Sequence, residues 1–352
     1  MKMFNGNSAS ANVADAVRGL SSPKLIIFTS DADHFEAVTA EIEKKYPGIP
    51  SIGCIGMGYN SGMLEKGINI TAFTEGVKVK TGVLESVSTM PARYVHRLEK
   101  DIEAVKPGKE NTAIIDFCAG NDAAVLTTLR GLIDKFNLQV MGATGDGGKI
   151  AVNGKVYDDA MGYAVVRNEG GRVKTYKENI YEPKDNRQLI ASKTDKAKYY
   201  LGELNGRSAK QVYMDLTGAG SDKEIIDQTF KNPLGKMIGK DVCICSIKDV
   251  SGTGLILYRQ INDSDILTLL EMKEPMEVAQ NTIDRIRNDF SRISGIFSVN
   301  CIFRYLVLSE RGEMNTYLGK ISSLGPSCGL IGFGEHYNAQ FVNQTMTCVV
   351  FE

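Results

Sequence analysis

Gly329-Leu-Ile-Gly-Phe-Gly334-Glu335-His336, followed by Asn343-Gln344-Thr345 and a closing apolar strand, is the stretch from which this chain is best read. Glycine lets backbone approach a neighbour or a ligand closely. Glu335, Asn343, Gln344 and Thr345 together offer hydrogen-bond donors and acceptors within one turn's reach. That inventory suits recognition of a small polar molecule better than proton transfer. The plainer reading is a polar loop closing a β-hairpin.

Outward from that end, strand-like and helix-like segments alternate. Residues 25–29, 71–73, 77–84 and 112–117 read as strands. Residues 33–45 and 91–105 read as helices, the second with an apolar face at Val95, Leu98, Ile102 and Val105. Asn121 or Asp122 is placed to cap a helix whose stripe is Val125, Leu129, Leu132 and Phe136. Residues 161–167 and 172–179 read as a hairpin, and polar 181–193 as the interdomain segment. Beyond it come a strand turning at Asn205-Gly206, a helix over 209–216 and a three-strand meander at 243–247, 254–258 and 266–270. A helix over 277–293 and a strand-rich run over 296–308 complete the pass, with no repeat of fixed period in view. Each half mixes strands and helices, so the expected class is α+β. It predicts two mixed-sheet domains with helices covering the sheets, an αββα sandwich.

The same segments carry a resemblance. The C-terminal stretch is similar to the end of the FIST domain family, where a glycine-aromatic-glycine-glutamate run precedes Asn-Gln-Thr and a last strand. Ile52-Gly-Cys-Ile-Gly-Met-Gly58 with 67–73, and Gly142-Ala-Thr-Gly-Asp146-Gly-Gly148 with Tyr157, Asp158 and Asp159, resemble its N-terminal region. Leu204-Asn205-Gly206, Asn232-Pro233-Leu234-Gly235 and Cys301-Ile-Phe-Arg304 resemble its C-terminal region, in the right order. The resemblance implies a FIST N-terminal-like domain over 23–185 and a FIST C-terminal-like domain over 194–352. It implies a bacterial-type sensory protein binding a small molecule, an amino acid or related metabolite. Since the sequence stops soon after the last strand, signalling is expected in trans, through a histidine kinase, chemotaxis or cyclic-nucleotide protein. The ligand-binding set is Cys301, Arg304, Gly334, Glu335, Asn343, Gln344, Thr345 and Asp146. Arg304 is a planar donor suited to a carboxylate, its plainer role being a salt bridge with Glu335 or a surface pair.

Composition excludes other classes. At 352 residues the chain exceeds the usual size of one core, so two domains are expected. A net charge of −1 gives no basic excess for nucleic acid, and no apolar run reaches the roughly 18 residues of a membrane span. The start lacks the apolar core of a secretory signal, and seven cysteines without a CxxC pair read as free thiols in a reducing cytoplasm. The glycine run at 142–148 lacks the Gly-Lys-Ser/Thr ending of a nucleotide loop. No cofactor or metal is expected. The alternatives are a haem-based nitric oxide sensor, for which His336 is the best of three histidines as axial ligand, and an enzyme with a cysteine nucleophile, for which no signature is present.

Overall fold

The computed structural model describes residues 1–238 and 241–352. The expected α+β class holds, with several mixed sheets flanked by helices. Among the described residues no helix is long and apolar enough to cross a membrane.

Two compact units form, and they interleave in sequence instead of following one another as 23–185 and 194–352. One takes residues 1–178, 279–341 and 345–352; the other takes 179–278 with 342–344. The larger unit is built three times from one pattern. Leu25–Ser30, the helix Phe35–Lys45 and Ser51–Ile55 make a parallel βαβ crossover, with Ile68–Glu75 antiparallel on its outer side. Thr112–Ala119, Asp122–Phe136, Gln139–Thr144 and Ala160–Asn168 repeat the arrangement. Gly295–Cys301, the helices Ile302–Glu310 and Met314–Ser322, Ser327–Gly332 and Thr345–Phe351 repeat it again.

The repeats exchange strands in a ring. After its second parallel strand, each chain segment crosses to another repeat's sheet. Gly58–Tyr59 pairs with Ser327–Gly332, Ile150–Val152 with Ser51–Ile55, and Glu335–Tyr337 with Gln139–Thr144. Tail strands follow the same logic, Val77–Glu85 joining the second repeat's sheet and Val173–Asn179 the third's. The N-terminal strand Lys2–Ser8 closes the ring on Ile68–Glu75. The expected hairpin over 161–179 is therefore two strands in different sheets.

Sequence marks the repeats with Gly-x-x-Gly-x-Gly at Gly53, Gly142 and Gly329. The first two are 89 positions apart and the last two 187, of which the segment 179–278 accounts for 100. That insertion hides the period. In each case the first glycine lies beside the first strand's residue Phe28, Asp116 or Ser298. A Cβ there would fall 2.4 Å from the Phe28 ring, 2.3 Å from Asp116 O or 2.1 Å from Ser298 O. Real side chains do not fit such gaps, so the backbone approach requires glycine.

The three sheets of the larger unit enclose one core instead of the expected two-sheet αββα sandwich. Leu25, Ile27 and Phe73, Ile115 and Phe117, and Phe297, Val299 and Phe351 belong to one buried cluster. Phe73 meets Phe351 at 5.1 Å and Phe117 meets Phe297 at 6.4 Å between ring centroids. Helices cover the outsides, with Phe35, Val38 and Ile42 on the first sheet and Leu98, Ile102, Val125 and Leu129 on the second. The run over 296–308 expected as strand breaks at Cys301 into the helix Ile302–Glu310. Its parallel return to Ser327–Gly332 needs a helical crossover, and an apolar run alone cannot distinguish strand from buried helix.

Among its described residues the inserted unit has a nine-stranded sheet over a second core that includes Leu201, Leu204, Leu234, Leu255 and Leu267. The polar segment 181–193, expected between domains, lies inside it as parts of the strands Tyr181–Pro183 and Leu189–Asp195. Gly254–Leu257 pairs with Tyr200–Leu204 and Ile247–Ser251, so the expected meander to 266–270 does not form.

Candidate functional site

Each first glycine of the triplicated motif also faces one residue of the crossing strand. Gly53 pairs with Ala151, Gly329 with Tyr59 and Gly142 with His336. Because glycine leaves a gap, residues on its two sides meet across it. In the third repeat Tyr59 Oη and Ser298 Oγ hydrogen-bond at 2.9 Å. In the first repeat the flanking pair, Phe28 and Ala151, is apolar and belongs to a buried cluster. In the second repeat it is ionic. His336 Nδ1 lies 2.5 Å from Asp116 Oδ1, both side chains fully buried.

Asp122, in the first turn of Asp122–Phe136, extends that pair. Its Oδ2 lies 3.4 Å from His336 Nε2 and accepts a short hydrogen bond from the Thr144 hydroxyl. Burial works against a charged imidazole. The Asp116 carboxylate with its hydrogen bond, then Asp122, outweigh it and raise His336 to about 10. The histidine is therefore held as an imidazolium between two carboxylates. Asp116 itself is pushed up by burial and held down by His336; with a second carboxylate on the ring, the charged pair is the arrangement the geometry favours. Cys118, two residues on, has its thiol pushed up by burial and then by Asp122, Asp116 and Asp159. It is no activated nucleophile.

Glu335 precedes His336 on the same strand and so points to the opposite face. Thr345 donates to its Oε2 from N–H (3.1 Å) and hydroxyl (2.8 Å), and the Cys301 thiol is hydrogen-bonded to its carboxylate. Burial raises Glu335 to about 8 against these partners. Three of the residues expected to bind ligand, Cys301, Glu335 and Thr345, are thus brought together.

The others are not gathered there. Arg304 sits in the first turn of Ile302–Glu310, fully buried, with its guanidinium on the Glu178 carboxylate, on Asn300 Oδ1 (3.0 Å) and over the Tyr317 ring. Its partner is Glu178, not Glu335 or a surface group. Gly334 is buried where a Cβ would meet the Phe341 ring at 2.4 Å. Asp146 is exposed on the short turn Asp146–Gly148. Asn343 and Gln344 group with the inserted unit, where Gln344 Nε2 donates to Thr229 O (3.3 Å). His336 is a poor candidate for a haem ligand, because both ring nitrogens face carboxylates.

Asp116, Asp122 and Thr144 were missed in sequence. The available signal was Asp116 itself, a lone charge inside the otherwise apolar Thr-Ala-Ile-Ile-Asp-Phe-Cys-Ala strand. Thr144, last in Gln139–Thr144, and Asp122, in the first turn of its helix, stand at the carboxyl ends of the parallel strands, where such sheets usually take ligands. Asp122 retains 13% exposure and Phe333, nearby in the chain crossing, is 45% exposed.

The family model described as FIST N domain matches residues 24–207, more than half of the chain. No curated protein matches.

Proposed function

The chain belongs to the FIST family, whose domains are sensory and bind small ligands, and from that premise we propose that its sensory site is the Asp116–His336–Asp122 junction. One observation carries this. The ring of repeats makes the same junction three times, once with Phe28 and Ala151, once with Ser298 and Tyr59, and once with buried charge. The fold closes without charge at the first two, so the ionic version is not a requirement of the architecture. Buried charge that packing does not need is a mark of function.

The ligand is a small polar molecule, an amino acid or related metabolite. Thr144 and Asp122 bind it at the mouth, and Glu335 with Thr345 and Cys301 supports the strand that forms the wall. Output runs through a separate signalling protein, and it requires that ligand favour one of two states of this chain over the other.

A thermal-shift screen of the full chain against amino acids and small metabolites tests the reading. A ligand at a hundred times its dissociation constant adds about 2.7 kcal/mol of stability, a rise of roughly 5–10 °C for a unit of this size. Thr144→Ala should abolish the shift while leaving the unliganded melting point within about 2 °C, since it removes one partly exposed hydroxyl. A shift that survives Thr144→Ala places the ligand elsewhere. Capture of partners from lysate, with and without the hit, then checks the output. The same partners in the same amounts would refute signalling in trans.

A further inference from the structure

Among the described residues, the carboxylates at the junction outnumber the cation placed against them. Asp116, Asp122 and Asp159 all act on the Cys118 thiol, while His336 is the cation placed against Asp116 and Asp122. Asp159 is held at the site by Ser88 N–H, which donates to its Oδ1 at 2.9 Å, and Ser88 Oγ in turn accepts from Asn121 N–H at the helix start. Asp158 and Asp146 are exposed on the neighbouring turns, and Lys149, three positions from Asp146, is paired with Glu36 at 2.7 Å. Asp116 adds an independent sign of a missing partner. Its Oδ2 is fully buried and accepts no hydrogen bond.

One exposed aromatic residue is tied to this charge through the backbone. Phe333 donates its backbone N–H to Thr144 O at 2.9 Å, and Thr144 is the residue bonded to Asp122. Phe333 stands at the x of Gly332-Phe333-Gly334, where the first repeat has the half-buried Met57. A carboxylate group beside an exposed aromatic ring matches an ammonium ion, which gains from both the charge and the ring face.

We propose that Asp122 and Asp159, the partly exposed carboxylates of the junction beside Phe333 with the buried Asp116 behind them, bind a small organic ammonium ion with a hydrocarbon body, a primary amine. This rests on the reading of the junction as the sensory site and narrows its ligand to molecules recognised through a free ammonium group.

Isothermal titration of the full chain with phenethylamine, 2-phenylethanol and phenylacetate tests it. The three share a ring and differ in charge. Phenethylamine should bind at least about tenfold more tightly than the alcohol, as expected for one charge-assisted hydrogen bond in a partly buried site. Asp122→Asn should remove that preference, and raising salt from about 0.05 to 0.5 M should weaken the amine alone. Phe333→Ala, at a side chain 45% exposed, should weaken amine and alcohol together. Equal binding of amine and alcohol, or tightest binding of phenylacetate, overturns the ammonium claim while leaving a small-ligand site standing. Binding of calcium or magnesium that depends on Asp122, without amine binding, overturns it in favour of a metal ion. Silence from all three, with a hit in the wider metabolite screen that survives Asp122→Asn, overturns it too. Silence in both screens sinks the ligand site itself.

Discussion

His336 Nδ1 lies 2.5 Å from Asp116 Oδ1, across the gap left by Gly142 and from 220 positions away in the chain. The equivalent gap beside Gly53 is filled by Phe28 with Ala151 opposite. The first repeat thus supplies a natural apolar replacement for the ionic pair. His336→Ala alone leaves two carboxylates facing each other and should cost about 3–5 kcal/mol, as for other broken buried pairs. The double variant Asp116→Phe with His336→Ala should recover most of that loss and bind no ligand. Denaturant midpoints of the two singles and the double decide it. A double as unstable as the sum of its singles would mean the repeats are not equivalent here.

Alkali should weaken this protein more than mild acid. His336 is raised to about 10 from an ordinary 6.5, so its contribution is complete below pH 6.5 and disappears as pH rises through 10. Glu335 is raised to about 8 from 4.5, so its protonated form favours the fold and that contribution too is lost as pH rises, between 4.5 and 8. Melting temperature followed from pH 6 to 10 should therefore fall, and Glu335→Gln should flatten the part below 8. A curve with the opposite slope would show that these groups do not dominate.

Arg304→Ala should act on stability. The guanidinium is fully exposed to protein and not to water, on Glu178, Asn300 and Tyr317. Removing it strands the buried Glu178 carboxylate, a loss of about 3–5 kcal/mol. Arg304→Lys should recover little, because an ammonium cannot reproduce a planar fork stacked on a ring. Normal stability in either variant, measured by urea unfolding, would remove Arg304 from the core network.

Glycine substitutions separate close approach from simple flexibility. Gly142→Ala places a methyl 2.3 Å from Asp116 O and 2.5 Å from its carboxyl carbon, and neither can move away without breaking the strand pair. It should destabilise by roughly 1–3 kcal/mol or more, as overpacking does. Gly131→Ala, in the helix Asp122–Phe136 with open space around it, should stabilise by up to about 1 kcal/mol. Reversal of that order would refute the packing argument.

Much of the local structure was legible without coordinates. The helix with Val125, Leu129 and Leu132 inward, its Asn121 cap and the turn at Asn205-Gly206 all form as their sequences suggest. Glu335 and Thr345 were singled out from their spacing, and they do meet. Arg304 was placed on a strand and lies on a helix, because an apolar run satisfies both periods until the parallel partner strand requires a crossover.

By itself, then, the sequence determined many of the segments, their apolar faces and the family, since these rest on propensities and patterns acting over a few residues. Tertiary structure decided everything that depends on distant segments meeting. It brought three Gly-x-x-Gly-x-Gly turns into one ring despite a 179–278 insertion that breaks their period. It also decided which of three equivalent glycine gaps would hold charge. Asp116 and His336 carry no mark of each other in sequence, because their attraction exists only where strand exchange sets them 2.5 Å apart and burial removes the water that would otherwise screen them.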